Sequence, residues 1–175
     1  GVAVDPTRIV VAVGIAGTFG YLSWHTDTAS ITGMLTGVLV SLLTIVLGGY
    51  GWFAILITFF GVGGLASKFR YEEKDDRGVA EENEGARGAS NVLGNAAVAL
   101  VAVVGFAGAD GLGIAPALFA FAFAGSLATA LSDTLSSEIG VLFGDPRLVT
   151  SFERVEAGTD GGVTLGGSLA GLGGA

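Results

Sequence analysis

Five stretches of this 175-residue chain are almost wholly apolar: 7–23, 31–47, 50–67, 91–107 and 113–131. None carries the polar stripe of a surface helix. Their hydrophobic side chains run all the way round, as in helices that face lipid or a buried core. Crossing a bilayer takes about 20 such residues, and each stretch qualifies or nearly does. A sixth apolar segment, 161–175, is too short to cross. Connections are short at 24–30, 48–49 and 108–112, and only 68–90 and 144–160 are long and polar. The pattern predicts an all-α fold, a polytopic transmembrane helical bundle of about five complete spans plus the start of a sixth. Residues 1–175 read as a single integral-membrane domain truncated at both ends, opening on Gly1 and stopping inside an apolar segment.

Composition agrees with the pattern. The chain is 51% hydrophobic and only 14% charged, with a mean hydropathy of +0.71, outside the range of soluble domains. Its 31 glycines are interleaved with Val, Leu, Ala and Phe, and glycine lets helix backbones approach closely in lipid. Gly33 and Gly37 form one such spaced pair. Seven of the eight basic residues fall in the two long loops: Lys68, Arg70, Lys74, Arg77 and Arg87 in the first, Arg147 and Arg154 in the second. The positive-inside rule makes both loops cytoplasmic, and the two spans between them require a shared side. The same count puts 24–30 inside and the N-terminus outside, against the sign of Arg8. Trp24, Tyr50 and Trp52 read as interfacial anchors. His25 stands alone, too little for a metal site.

The net charge of −8 argues against nonspecific nucleic-acid binding. With so few lysines it suggests a salt-loving organism. Glu72, Glu73, Asp75, Asp76, Glu81 and Glu82 read as a solvated face. The absence of cysteine excludes disulfide and thiol chemistry. No secretory signal is apparent, because 7–23 lacks a basic leader and a clear cleavage site.

Three polar groups at span ends are candidates for chemistry. The first is the run 132–140, where Asp133 and Glu138 sit among hydroxyls just past an uncharged stretch. On a helix Thr129, Asp133 and Ser137 form one row and Thr134 and Glu138 the next, so both carboxylates are placed to approach one hard cation. Charges at a bilayer are costly enough to suggest function; the plainer reading is helix-end residues wetted by headgroups. The second group is Gly158-Thr159-Asp160-Gly161-Gly162-Val163-Thr164, a glycine turn opening a helix. Its N–H groups and dipole suit phosphate, although Thr159 or Asp160 also suits a simple N-cap. The third is Arg87, Asn91 and Asn95 at i, i+4 and i+8, one face carrying a guanidinium and two amides. They fit phosphate recognition or interhelical hydrogen bonding. Lys68 is a further phosphate partner or a snorkelling side chain. P-loop, HExxH and GxSxG signatures are absent.

These residues resemble a family of integral-membrane proteins that includes the plant chloroplast phytyl-phosphate kinase and many archaeal and bacterial members of unknown function. Its GDTxASExG stretch is matched by Asp133, Thr134, Ser137, Glu138 and Gly140, with Ser132 and Ser136 at its small positions. Asp145-Pro146-Arg147-Leu148-Val149-Thr150 is similar to its PRLITT stretch, and 158–164 to its GTDGGVS stretch. Gly85, Arg87, Val92 and Asn95 follow an upstream pattern with Asn91 in place of Gln, and Ser67-Lys68 fits a Ser-Lys pair. A looser similarity reaches the CTP-using dolichol and phytol kinases. The resemblance covers about 67–172 and implies phosphoryl transfer from CTP or ATP to a prenyl monophosphate such as phytyl or geranylgeranyl phosphate. It implies Mg2+ held by Asp133 and Glu138, charge neutralisation by Arg87 and Lys68, and substrate or nucleotide contacts from Asn91, Asn95, Thr134, Ser137, Thr159, Asp160, Gly161 and Gly162. The partners are then a prenyl-phosphate lipid, a nucleotide and the bilayer. The rival reading is a polytopic transporter of a small anionic or lipid substrate, which uses polar residues in broken helices nearer the midplane.

Overall fold

The computed structural model describes residues 5–80 and 86–175; Glu81, Glu82 and Gly85 lie outside them. Helices dominate: α1 (Pro6–His25), α2 (Ile31–Leu43), α3 (Tyr50–Lys68), α4 (Tyr71–Asp76), α5 (Ala89–Ala107), α6 (Ala109–Leu112), α7 (Pro116–Gly140) and α8 (Leu165–Gly174). A short antiparallel ribbon, β1 (Arg147–Leu148) with β2 (Gly162–Val163), stands before α8.

Four of these helices, α1, α3, α5 and α7, are long and apolar enough to cross a membrane. That corrects the expected five spans and the start of a sixth. The second stretch breaks down at its end: α2 stops at Leu43 and a π-helical turn, Thr44–Gly48, follows. The Thr44 hydroxyl bonds back to the Val40 carbonyl at 2.8 Å, and Gly49 then takes a φ of 103° that releases the chain into α3. The result is a shorter apolar helix, Ile31–Leu47. The placement of 24–30, which counted it as a crossing, loses that basis. The sixth segment is α8, with 10 residues.

The last span is longer than its apolar run. α7 continues nine residues past Leu131 because Leu135 and Ile139 extend one apolar row at i+4 and i+8. At 1.5 Å per residue, its 25 residues reach about 37 Å, longer than the roughly 30 Å hydrocarbon layer. Its polar final turns have length to emerge.

The chain divides into two compact units, Gly1–Phe60 with Arg87–Leu127, and Gly61–Ala86 with Ala128–Ala175. In the first, α1 packs on α2 and α2 on α5, with Ala12, Ala16, Val40, Ala96 and Val103 buried. Asp5 caps α1 through Thr7 N–H at 3.0 Å, and Ser30 caps α2 through Gly33 N–H at 3.2 Å. Gly33 is a close approach: a Cβ there would collide with the Arg87 carbonyl oxygen, whereas Gly37 meets nothing within 4 Å. Trp52 packs between Phe106 and Phe123, each ring centroid 4.7 Å away, so it is a packing residue; Trp24 and Tyr50 are exposed.

In the second unit α8 lies against the end of α7 with almost no side chain between them. A Cβ at Gly167 would fall 2.6 Å from the Ser136 carbonyl oxygen, and one at Gly171 3.2 Å from Ser132 Oγ. This contact leaves little room at 132 and 136 for anything larger than a small side chain. Serine keeps that size.

Candidate functional site

A cleft of about 510 Å³ opens in the second unit between three pieces of chain. α7 supplies Asp133, Ser136, Ser137 and Gly140; the segment 157–163 supplies Thr159, Asp160 and the glycines; α8 supplies Thr164, Gly167 and Ser168. Thr164 fastens two of the walls. Its hydroxyl donates to the Gly140 carbonyl at 3.2 Å and accepts from Gly167 N–H at 3.0 Å, capping α8. The N-cap is therefore Thr164 and neither Thr159 nor Asp160.

The glycine turn is shaped by its own hydrogen bonds. Gly162 N–H donates to the Thr159 carbonyl at 2.9 Å, and Val149 N–H to the Gly161 carbonyl at 3.0 Å. Gly158 and Gly161 have φ of 86° and 77°, conformations that cost a side chain dearly. At 162 a Cβ would lie 2.9 Å from the Thr159 carbonyl. The glycines are thus needed to close the turn, and the Gly162 amide expected to face a phosphate is spent inside it.

The expected site residues separate. Asp133, Ser137, Thr159, Asp160, Gly161 and Gly162 share the cleft. Asp133 and Ser137 are exposed, and the Ser136 hydroxyl bonds the Asp133 carbonyl at 3.0 Å. Glu138 and Thr134 are not among the lining residues, nor is Lys68, which ends α3. Five residues on a helix turn through about 140°, so the helix that aims Asp133 into the cleft aims Glu138 elsewhere. Arg87, Asn91 and Asn95 belong to the other unit. There Arg87 is buried with its guanidinium carbon 5.6 Å from the Phe59 ring centroid, and its backbone joins the α1–α2 loop through Thr28 and Ser30. The Asn95 amide bonds the Asn91 carbonyl at 2.8 Å, an intrahelical use.

Glu138 meets Lys74. The two form an ion pair at 2.6 Å, with Lys74 wholly buried and Glu138 at 6% exposure. Lys74 Nζ also donates to the Ser67 and Ala66 carbonyls, at 2.7 and 3.1 Å. These belong to the last turn of α3, where a cation is favourable, and the Ala66 carbonyl also accepts from Phe69 N–H at 3.2 Å. The other carboxylate oxygen of Glu138, Oε1, is buried without a hydrogen bond among the described residues. Sequence reasoning missed Lys74. It stands among Glu72, Glu73, Asp75 and Asp76, and its partner is 64 residues away. Of those acids, Glu72, Asp75 and Asp76 are exposed as expected, while half-buried Glu73 pairs with Arg70 and Arg77. Among the described residues, no three His, Cys, Asp or Glu side chains gather as a metal group.

The family model described as integral membrane protein DUF92 matches residues 14–175. The chain belongs to this family. Protein VTE6, chloroplastic, of Arabidopsis thaliana is 35% identical over 144 residues, 82% of this chain and 43% of that protein. An uncharacterised membrane protein of Methanocaldococcus jannaschii is 34% identical over 148 residues, 82% of this chain and 57% of its own length. Protein PGR of Arabidopsis thaliana is 32% identical over 176 residues, 94% of this chain and 60% of its own. The chain spans about half the length of the curated relatives it matches. No solved structure matches it. Membership agrees with the four long apolar helices: the protein is an integral membrane protein.

Proposed function

We propose that the protein is a membrane-embedded prenyl-phosphate kinase, making a prenyl diphosphate from a prenyl monophosphate and a nucleoside triphosphate. The observation that carries this reading is the cleft, where Asp133 and Asp160 face a common space among hydroxyls and glycines. The resemblance of 67–172 to the phytyl-phosphate kinase family supplies the reaction class.

Among the described residues, two carboxylates and no basic side chain line the cleft, so a bare polyphosphate would be repelled. A polyphosphate already carrying a hard divalent cation fits, because such an ion takes one or two carboxylates and completes its shell with phosphate oxygens and water. Asp133 and Asp160 would hold it, and Mg2+ there would neutralise charge on the phosphates. Ser137 and Thr159 offer hydroxyl donors that orient phosphate oxygens. The acceptor is a phosphate monoester with its second pKa near about 6, so it is largely ionised and needs no strong base. An acceptor oxygen forms the new bond to the terminal phosphorus of the donor, the bond to the bridging oxygen breaks, and the nucleoside diphosphate leaves with the electron pair. The work left to the protein is positioning and electrostatics. Roles for Lys68, Arg87, Asn91, Asn95 and Thr134, and for Glu138 as a ligand, rest on the resemblance alone. The clustering of basic residues supports a cytoplasmic side for both long loops.

The test is incubation of membranes holding the full-length protein with labelled CTP or ATP and phytyl or geranylgeranyl phosphate. Labelled prenyl diphosphate is expected, and its formation should fall about a hundredfold in Asp133→Asn. Uptake of unconverted prenyl phosphate would instead identify a transporter. Turnover unaffected by both Asp133→Asn and Asp160→Asn would remove the cleft from the reaction.

A further inference from the structure

One basic face of a short segment meets the end of α7 and the residues just past it at three places. Arg70, Lys74 and Arg77, at i, i+4 and i+7, lie along one side of α4 and its leading turn. The Arg70 guanidinium carbon is 5.6 Å from the Phe143 ring centroid, Lys74 pairs with Glu138 at 2.6 Å, and Arg77 donates to the Val141 carbonyl at 2.7 Å. Cations complement the negative dipole end of α7. The two arginines are 44% and 43% exposed, where ion pairs count for little. Lys74 differs in kind. It is wholly buried, and its three ammonium donors are matched by Ala66, Ser67 and Glu138. It therefore ties the end of α3 to one side of α7, while Asp133 and Ser137, on another side of the same turns, line the cleft.

We propose that Lys74 is a positioning residue: through Glu138 it sets the rotation of the last turns of α7, and with it the aim of Asp133 and Ser137 into the cleft. Glu138 serves in this clamp rather than as a ligand of the transferring phosphate. A carboxylate cannot replace Lys74, since it would face two carbonyls, so exchanging the charges should not restore the clamp. The effect on turnover rests on the kinase reading; the effect on cleft geometry does not.

The test uses full-length protein with Lys74→Met, Glu138→Gln, the double variant, and the exchange Lys74→Glu with Glu138→Lys. Any cysteines beyond these 175 residues are first replaced. Spin labels on S137C and T159C then read the spacing of two cleft walls by electron paramagnetic resonance, without any reaction. Unlabelled protein gives kcat at temperatures below each variant's melting point, so that unfolding does not count. Lys74→Met is expected to broaden or shift the distance distribution and to lower kcat about tenfold or more, since small misplacements are costly. Glu138→Gln keeps an oxygen for Lys74 and should leave the Mg2+ requirement within about twofold, and the double variant should be no worse than Lys74→Met, the non-additivity of a coupled pair. A distribution unchanged in Lys74→Met overturns the proposal whatever the activity. So does a raised Mg2+ requirement, or lost turnover with unchanged spacing, in Glu138→Gln, because Glu138 would then act in the chemistry. So does restoration by the exchange. If the unaltered protein makes no diphosphate while Lys74→Met still broadens the spacing, the kinase reading falls and the clamp stands.

Discussion

Replacing Gly167 by alanine tests the contact that shapes the cleft. The added Cβ would sit 2.6 Å from the Ser136 carbonyl oxygen and 2.9 Å from Gly140 Cα. Both are backbone atoms, so no side chain can turn aside and α8 must slide away from α7. Overpacking of this kind costs about 1–3 kcal/mol, and alanine returns up to about 1 kcal/mol through helix propensity. The net loss is then up to about 3 kcal/mol. Gly173 is the control, six residues along the same helix, where a Cβ meets nothing within 4 Å. Only the propensity gain remains there, so Gly173→Ala should be neutral or stabilising. Gly171→Ala, with contacts of 3.2 Å, should fall between the two. Thermal unfolding of the full-length protein in one detergent, followed by tryptophan fluorescence, ranks the three. Equal losses at 167 and 173, or a gain at 167, would refute backbone contact between α7 and α8.

Thr164→Ala should cost about 1–2 kcal/mol in the same melt, because the cap on Gly167 N–H and the bond to Gly140 go together; Thr164→Ser should recover most of it. Asp133→Asn should lower diphosphate formation about a hundredfold while shifting stability by no more than about 0.5 kcal/mol, because this side chain is exposed; a large stability loss would mean that it is structural. Gly33→Ala should destabilise by about 1–3 kcal/mol, since its Cβ collides with the Arg87 carbonyl, and an unchanged melt would refute that approach. Arg77→Ala should change stability by at most about 1 kcal/mol, as partly exposed pairs do, against the larger loss expected at buried Lys74.

Apolar runs were enough to place α1, α3 and α5 within a few residues, and α7 except for its last nine, since lipid demands long uninterrupted helices and leaves backbone groups no other partners. Sequence order also marked Asp133, Ser137 and the 158–162 turn, because hydroxyls, carboxylates and glycines at a span end have few reasons to gather. Tertiary structure decided the rest. The break after Leu43 depends on a π turn and a positive φ at Gly49, conformations that an apolar string does not encode. The use of the Gly162 amide depends on how the turn closes. The parting of Asp133 from Glu138 follows from helical pitch, but its outcome needed a partner. Glu138 found Lys74 across 64 residues, and no local spacing announces a contact that exists only once α4 lies against α7. Periodicity governs which side of a helix a residue occupies. Only packing determines what waits on that side.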